Sequence, residues 1–455
     1  LLAALAAIAG GEGGGGLPVR TPAAVGMSAQ RLRVIDRVVA RGIRAGGFPG
    51  AAVVVGRKGA AVWERGFGRI DWKTSSPRVS PNETLYDLAS LTKVVGTTTA
   101  MMILYDEGRF ALDDPVAKYL PEFGGGMKDS VTIRQLLEHR SGLPADRDLW
   151  RLASSPEQAR QIVLTTPLDY KPGTHYVYSD LGAMTLGFLV EKLSGQRLDR
   201  YLEQWVFQPL GMTNTFFRPA DSVKYRSAPT EDTPPRGYPL QGEVHDENAY
   251  ALGGVAGHAG LFSTASDLSI FAQMILNGGE YNGTRIVSDS TVKIFTQRAA
   301  GSRALGWAMA DGQWGSGRFL SDDAFGHVGY TGTSLWIDPD REMFVILLTN
   351  RVHEPRARRP EKVIADVRAD LSDAAAIAVT DDPDQLIAMP TSFRADLARG
   401  WNHVERRHHR RVHHRGTRSS VRVPANHRAK SATTTHKPKA VVTVKKKTQT
   451  AKHPH

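Results

Sequence analysis

The 455-residue chain contains no cysteine. That excludes disulfides, thiolate metal sites, a cysteine nucleophile and a lipid-modified N-terminal cysteine. A run long enough to cross a bilayer is also missing. Residues 1–9 are wholly apolar but fall far short of the about 20 residues a helical span requires. Acid is almost absent from residues 401–455, which hold 15 Lys and Arg against the single Glu405, together with 9 of the 15 histidines. The formal charge of +12 therefore sits in this tail, and residues 1–400 are close to neutral. No H-E-x-x-H or comparable ligand spacing occurs in the folded region, so neither metal nor cofactor is expected. What remains, 41% hydrophobic and 23% charged residues, is ordinary globular composition.

The ends of the chain read as accessories. Residues 1–9 resemble the end of a secretory signal, with small residues at Ala7 and Ala9 suited to cleavage; a floppy apolar leader is the alternative. Glycines at 10–16 form a spacer, which makes 1–19 a leader segment. Residues 379–400 read as a linker. Residues 401–455 lack the apolar periodicity of a core and read as a disordered polybasic extension. Export to the periplasm or the exterior is the expected location.

Between the ends, Ser28 caps a run with apolar Leu32, Ile35, Val39 and Ile43, the spacing of one helical face. The β-rich stretches 51–55 and 60–64 flank Arg57-Lys58-Gly59 as a hairpin, and 334–337 and 343–349 flank Asp338-Pro339-Asp340. A helical pattern follows over 361–377. Residues 97–280 are mostly helix-patterned, with stretches at 97–107, 131–139, 181–193 and 267–276. The economical architecture is α+β: an antiparallel sheet from both chain ends (20–95 and 281–378), flanked by helices, with a helical insertion over 96–280. A cleft between two such units is a natural active site.

Ser90-Leu91-Thr92-Lys93 opens a helical pattern, and the i, i+3 spacing puts the hydroxyl and the amine on one face. Alone this motif is weak, and Ser290-Thr291-Val292-Lys293 is a second copy. The first copy is followed by Tyr178-Ser179-Asp180 and then by His327-Val328-Gly329 inside FGHVGYTGTSLWIDP. In that order the three resemble the S-x-x-K, Y-x-N and K-T-G signatures of the serine β-lactamase and penicillin-binding protein superfamily, particularly class C enzymes and their esterase relatives. The stretches YDLASLTK, TIRQLLEHRSGLP, YKPGTHYVYSDLG and GGVAGHAGLFSTASDL are similar to this family too, over about residues 25–375.

The resemblance implies a serine hydrolase with the β-lactamase/transpeptidase-like fold. Ser90 would be the acylated nucleophile, with Lys93 and Tyr178 sharing acid and base duty. Lys93, and His327 as a second cation, would stabilise a Tyr178 phenolate. The backbone N–H groups of Ser90 and Tyr330 would form the oxyanion hole, and Gly329, Tyr330 and His258 would line the substrate site. Three departures bear on the substrate. Asp180 replaces the usual Asn and is expected to hold or orient Lys93; His327 and Val328 replace the Lys and the hydroxyl that grip a β-lactam carboxylate. Neutral ester, amide or D-amino-acid peptide substrates are therefore expected, with a D-alanyl-D-alanine carboxypeptidase or weak β-lactamase as alternative. The substrate would be a small-molecule or peptidoglycan-like acyl compound. A non-enzymatic alternative is a binding protein using the tail on an anionic polymer. Nothing supports specific nucleic-acid binding, since the tail has no aromatic beyond Trp401. His139 and His245 read as structural, and Lys171-Pro172-Gly173 as a turn.

Overall fold

The computed structural model describes residues 16–313, 315–353, 361–382 and 386–401. The leader 1–9 and the basic stretch from 402 onward lie outside the described residues.

The first strand, β1 (Gly50–Arg57), is buried along its whole length. Its side chains alternate between two apolar layers, Ala52 and Val54 on one side and Ala51, Val53 and Val55 on the other. This is the pattern of a strand covered on both faces. It turns into β2 (Ala60–Gly68) through Lys58 and Gly59, both at positive φ (49° and 81°), the geometry of a two-residue hairpin. The other strands of this sheet come from the C-terminal half: β3 (Ala308–Met309), β4 (Phe325–Val328), β5 (Ser334–Asp338) and β6 (Met343–Thr349). The order is β2-β1-β6-β5-β4-β3, and each neighbouring pair is antiparallel. The register pairing Ala51 with Thr349 and Arg57 with Met343 joins the two ends of the chain along β1 and β6.

One face of the sheet is covered by α1 (Val34–Arg44) and α5 (Glu361–Ala378). Phe393 and Ala395, from the stretch 379–400 read as a linker, and Trp401, read as the first residue of the tail, lie in that same buried layer. Trp401 also donates its indole N–H to Asp366 at 2.8 Å. These apolar residues are too sparse to register as a periodic element, yet each fills a place against α5.

The opposite face packs on the central part of the chain. Its helices include α2 (Thr99–Asp106), α3 (Asp180–Ser194) and α4 (Ala265–Leu276). A π-helical segment, Lys93–Thr98, leads into α2. Sequence patterning showed few strands here, but Tyr86–Asp87, Phe216–Phe217 and Leu261–Ser263 form a small three-stranded sheet. Two- and three-residue strands are too short to display alternation. Among the described residues no helix is long and apolar enough to cross a membrane.

Candidate active site

Ser90 follows a strained turn. Ala89 adopts a φ of 46°, unusual for a residue with a Cβ, and its N–H donates to Asp87 Oδ1 at 2.8 Å. The other Asp87 oxygen accepts the His245 N–H at 2.6 Å. Burial raises the pKa of this carboxyl against the pull of those two N–H groups. The edge beyond β4 is stapled to the same turn. Thr331 and Thr333 donate their hydroxyls to the carbonyls of Asp87 and Leu88, at 2.7 and 2.9 Å. A Cβ on Gly329 would lie 2.1 Å from Thr333 Oγ1 and 2.4 Å from the Leu88 carbonyl, so this close approach requires glycine.

Lys93 is buried, and its ammonium is held by several polar partners. It donates to Ser90 Oγ at 3.0 Å and to the His258 carbonyl at 3.1 Å, and it pairs with Asp180 Oδ1 at 2.7 Å. Burial opposes its charge, but Asp180 and then Tyr178 outweigh that and hold its pKa above the ordinary lysine value. Lys93 also stands 5.0 Å from the centre of the Tyr178 ring. The 178–180 triplet sits at the start of α3 because Ser179 caps it, accepting the Gly182 N–H at 3.2 Å. Ser179 also donates its hydroxyl to Pro144, and Asp180 its N–H to Ala145, latching α3 to the loop after His139. His139 receives the Ser179 N–H on Nδ1, and its ring lies 4.6 Å from that of Tyr178. It is a positioning residue.

His258 sits on the glycine-rich loop, where Gly257 fits against α3 so closely that a Cβ would come within 2.1 Å of the Ala183 carbonyl. Its imidazole is buried behind its own carbonyl and pairs with Asp246 at 2.9 Å. Burial lowers the His258 pKa, yet Asp246 outweighs it and the net shift is upward. In this arrangement His258 supports Lys93 through its backbone, which differs from the expected lining role.

A cavity of about 220 Å³ opens beside Ser90. Tyr178, His327, Val328, Gly329 and Tyr330 line it, together with Arg303, Arg351 and Arg368. The described lining residues include no Asp or Glu. Sequence reasoning expected the gripping cation to be gone; three guanidiniums from other elements occupy its neighbourhood. Arg368 reaches from α5 to the carbonyls of Gly329 and Thr333, at 2.7 and 2.9 Å. Its Nε, like that of Arg303, is buried with no hydrogen-bond partner. Burial, and then the adjacent Arg351, weaken the hold of Arg368 on its proton.

His327 requires a correction. It was expected as a second cation beside Tyr178, but burial, then Arg303 and Lys93, drive its pKa well below 6.5 and leave it neutral. Nδ1 meets the Val328 carbonyl at 2.9 Å, which makes Nδ1 the protonated nitrogen and leaves Nε2 an unpartnered acceptor.

These positions match a known family. The profile described as Beta-lactamase covers residues 35–369. The chain belongs to the beta-lactamase family. Among the relatives of this family member is an Escherichia coli (strain K12) protein named as a candidate D-alanyl-D-alanine carboxypeptidase, 34% identical over 374 residues, covering 74% of this chain and 86% of that one. An N-acetylmuramyl-L-alanine amidase from Bacillus subtilis (strain 168) is 36% identical over 365 residues, covering 72% and 82%. The fold is shared with EstCE1, a hydrolase with promiscuous acyltransferase activity, at a TM-score of 0.62 and 24% identity, covering 76% of this chain and 98% of the other. A penicillin-binding protein homolog from Caulobacter crescentus gives 0.61 and 23%, covering 78% and 99%. This beta-lactamase-family chain is a serine hydrolase acting on ester or amide bonds.

Other candidates fall elsewhere in the beta-lactamase-family fold. Ser290 and Lys293 lie on the surface helix Asp289–Thr296, where Lys293 pairs with Asp289. Pro172 and Gly173 form a turn. His245 pairs with Glu231 at 2.9 Å and stacks on Tyr330. Sequence reasoning missed the three arginines, Asp87 and Asp246. One signal was available for Arg368: it occupies a core-facing position of α5, on the line of Ile364, Leu371 and Ala375.

Proposed function

We propose that the chain is an exported peptidase of the D-alanyl-D-alanine carboxypeptidase type, cleaving an amide bond next to a terminal carboxylate. The observation that carries this reading is the acid-free cavity beside Ser90 lined by Arg303, Arg351 and Arg368. A carboxylate there would meet the Nε–H groups of Arg303 and Arg368, which are buried without a hydrogen-bond partner, beside Arg351, whose Nε–H donates to the Tyr330 carbonyl at 2.8 Å; a neutral ester would leave those two Nε–H groups unsatisfied. Ser90 Oγ attacks the carbonyl carbon and its proton passes to Tyr178 in its phenolate form, stabilised by Lys93, because Lys93 is already protonated and held by Asp180. Lys93 stabilises the charge on Oγ, and the Ser90 and Tyr330 N–H groups receive the oxyanion. Tyr178 returns the proton to the leaving amine. Water then attacks the acyl-enzyme as Tyr178 takes its proton, and Tyr178 passes that proton to Ser90 Oγ as the Oγ–acyl bond breaks, which releases the acid and restores the serine hydroxyl.

The test compares a D-Ala-D-Ala-terminated peptide with its C-terminal amide, and records intact mass after a fluorophosphonate, each beside Ser90→Ala. Cleavage favouring the free carboxylate by tenfold or more, with an adduct that requires Ser90, is the expected result. Equal cleavage of both peptides, or labelling of Ser290, overturns the assignment. The basic stretch 402–455 would attach the enzyme to an anionic surface polymer; equal salt-dependent retention of full-length and 1–401 protein on an anionic matrix would exclude that.

A further inference from the structure

A second cavity, of about 540 Å³, lies in the central part of the chain. Trp150 and Tyr250 line it, with Ser154, Ser155, Lys224 and Glu243 adding donors and acceptors. Tyr250 is 42% exposed, and the Arg236 guanidinium lies 4.4 Å over its ring. The cationic groups here are already engaged, since Lys224 pairs with Asp221 at 2.7 Å and Arg218, also in the lining, with Asp199 at 3.0 Å. A strongly anionic ligand is therefore a poor fit. The Ser154 and Ser155 hydroxyls already meet Gln158, at 2.8 and 3.2 Å, and Glu243 Oε2 accepts from Tyr238, but a purely apolar ligand would leave Glu243 Oε1 buried without a hydrogen-bond partner. Aromatic faces beside dispersed hydroxyl and carboxylate groups suit a neutral polyol, whose C–H face stacks while its hydroxyls are hydrogen-bonded.

The helix Glu247–Ala251 links the wall of this cavity to the residues behind Lys93. Asn248 donates its amide to Asp146 Oδ1 at 2.7 Å and to the Arg147 carbonyl at 2.8 Å, and its oxygen accepts the Trp150 N–H at 3.4 Å. Asp246, the partner of His258, caps the helix Glu247–Ala251 that carries both Asn248 and Tyr250. Tyr250 thus stands one helical turn, about 6 Å of rise, from the ion pair behind Lys93. The arginine cavity, by contrast, is built from the sheet edge and α5. A substrate spanning both would place its terminal carboxylate among the arginines and lead its acyl portion past Asp146 toward this cavity, with Trp150 and Tyr250 reserved for the group beyond the peptide.

We propose that this cavity is a glycan subsite, holding an N-acetylated amino sugar of the acyl donor while the attached peptide runs to Ser90. The inference rests on the peptidase reading for the identity of the attached peptide. The sugar-binding claim is tested without it, by titrating the Ser90→Ala protein with chitotriose and following chemical shifts or heat. Saturable binding, weakened about tenfold by Trp150→Ala or Tyr250→Ala, is expected; Tyr250→Ala, at an exposed position, serves if Trp150→Ala does not fold. In the active protein the same variants should lower kcat/KM about tenfold on a sugar-linked peptide and leave the sugar-free D-Ala-D-Ala peptide unchanged. Absence of chitotriose binding, or equal losses on both peptides, overturns the subsite. Chitotriose binding without cleavage of either peptide would instead sink the peptidase reading and leave the subsite standing.

Discussion

The Lys93–Asp180 pair gives the sharpest handle on the proposed mechanism. Replacing Asp180 by Asn removes the negative charge 2.7 Å from the ammonium and leaves an amide oxygen in its place. Breaking a buried pair by deleting one partner costs about 3–5 kcal/mol. The Asp180 side chain is 26% exposed and the amide retains an acceptor, so roughly half, about 2 kcal/mol, is expected. The sign follows from the balance at Lys93, where burial lowers the pKa and Asp180 raises it. Without the carboxylate, burial prevails, and Lys93 loses its proton at lower pH. The assay is kcat/KM on a non-ionising activated ester between about pH 6 and 11, with thermal melting at pH 7. In Asp180→Asn the basic limb should move about 1.5 pH units toward neutrality, and the melting temperature should fall. A basic limb at the wild-type position would refute the claim that Asp180 keeps Lys93 charged for catalysis.

Three further outcomes are expected. Arg368→Ala should raise KM for a carboxylate-terminated peptide about tenfold or more while leaving the C-terminal amide unchanged; equal effects on both would remove the carboxylate site. Gly329→Ala places a Cβ 2.1 Å from Thr333 Oγ1 and should push the strand edge away from Ser90, lowering kcat about 100-fold or more; retained activity would contradict the oxyanion geometry. His139 and His327 are buried and neutral, with pKa values below the unfolded 6.5. Stability from them is complete above pH 6.5 and should fall below it by about 1.4 kcal/mol per pH unit for each histidine, until each folded pKa is reached. His258 has the opposite sign and contributes its stability below 6.5. Urea melts at pH 7 and 5.5 should show the loss and His327→Gln should reduce it, whereas identical midpoints would show that these imidazoles are not held neutral.

Spacing along the chain was enough to place Ser90 and Lys93 on one helical face, and a helix signal after Ser179 was enough to put Tyr178 and Asp180 at its N-terminus. Runs of apolar and β-branched residues at 51–55 and 343–349 marked two strands of the main sheet, because a strand covered on both faces is apolar at nearly every position. The short strands at 86–87, 216–217 and 261–263 left no such run. The packing of Trp401 was equally silent, since one tryptophan in a polar stretch has no pattern until α5 stands beside it.

The sequence by itself determined the order and identity of the chemical groups: a serine and lysine three apart, a later tyrosine and aspartate, a histidine where relatives carry lysine, and a concentration of positive charge after residue 401. Only the tertiary structure decided their states. Lys93 is charged because Asp180 lies 2.7 Å away, His327 is neutral because burial, Arg303 and Lys93 surround it, and the lost cation of the third motif has Arg303, Arg351 and Arg368 in its vicinity. These three arise from separate stretches of chain. Charge state and ligand preference depend on solvent exclusion and on neighbours through space, and neither quantity is written in sequence separation.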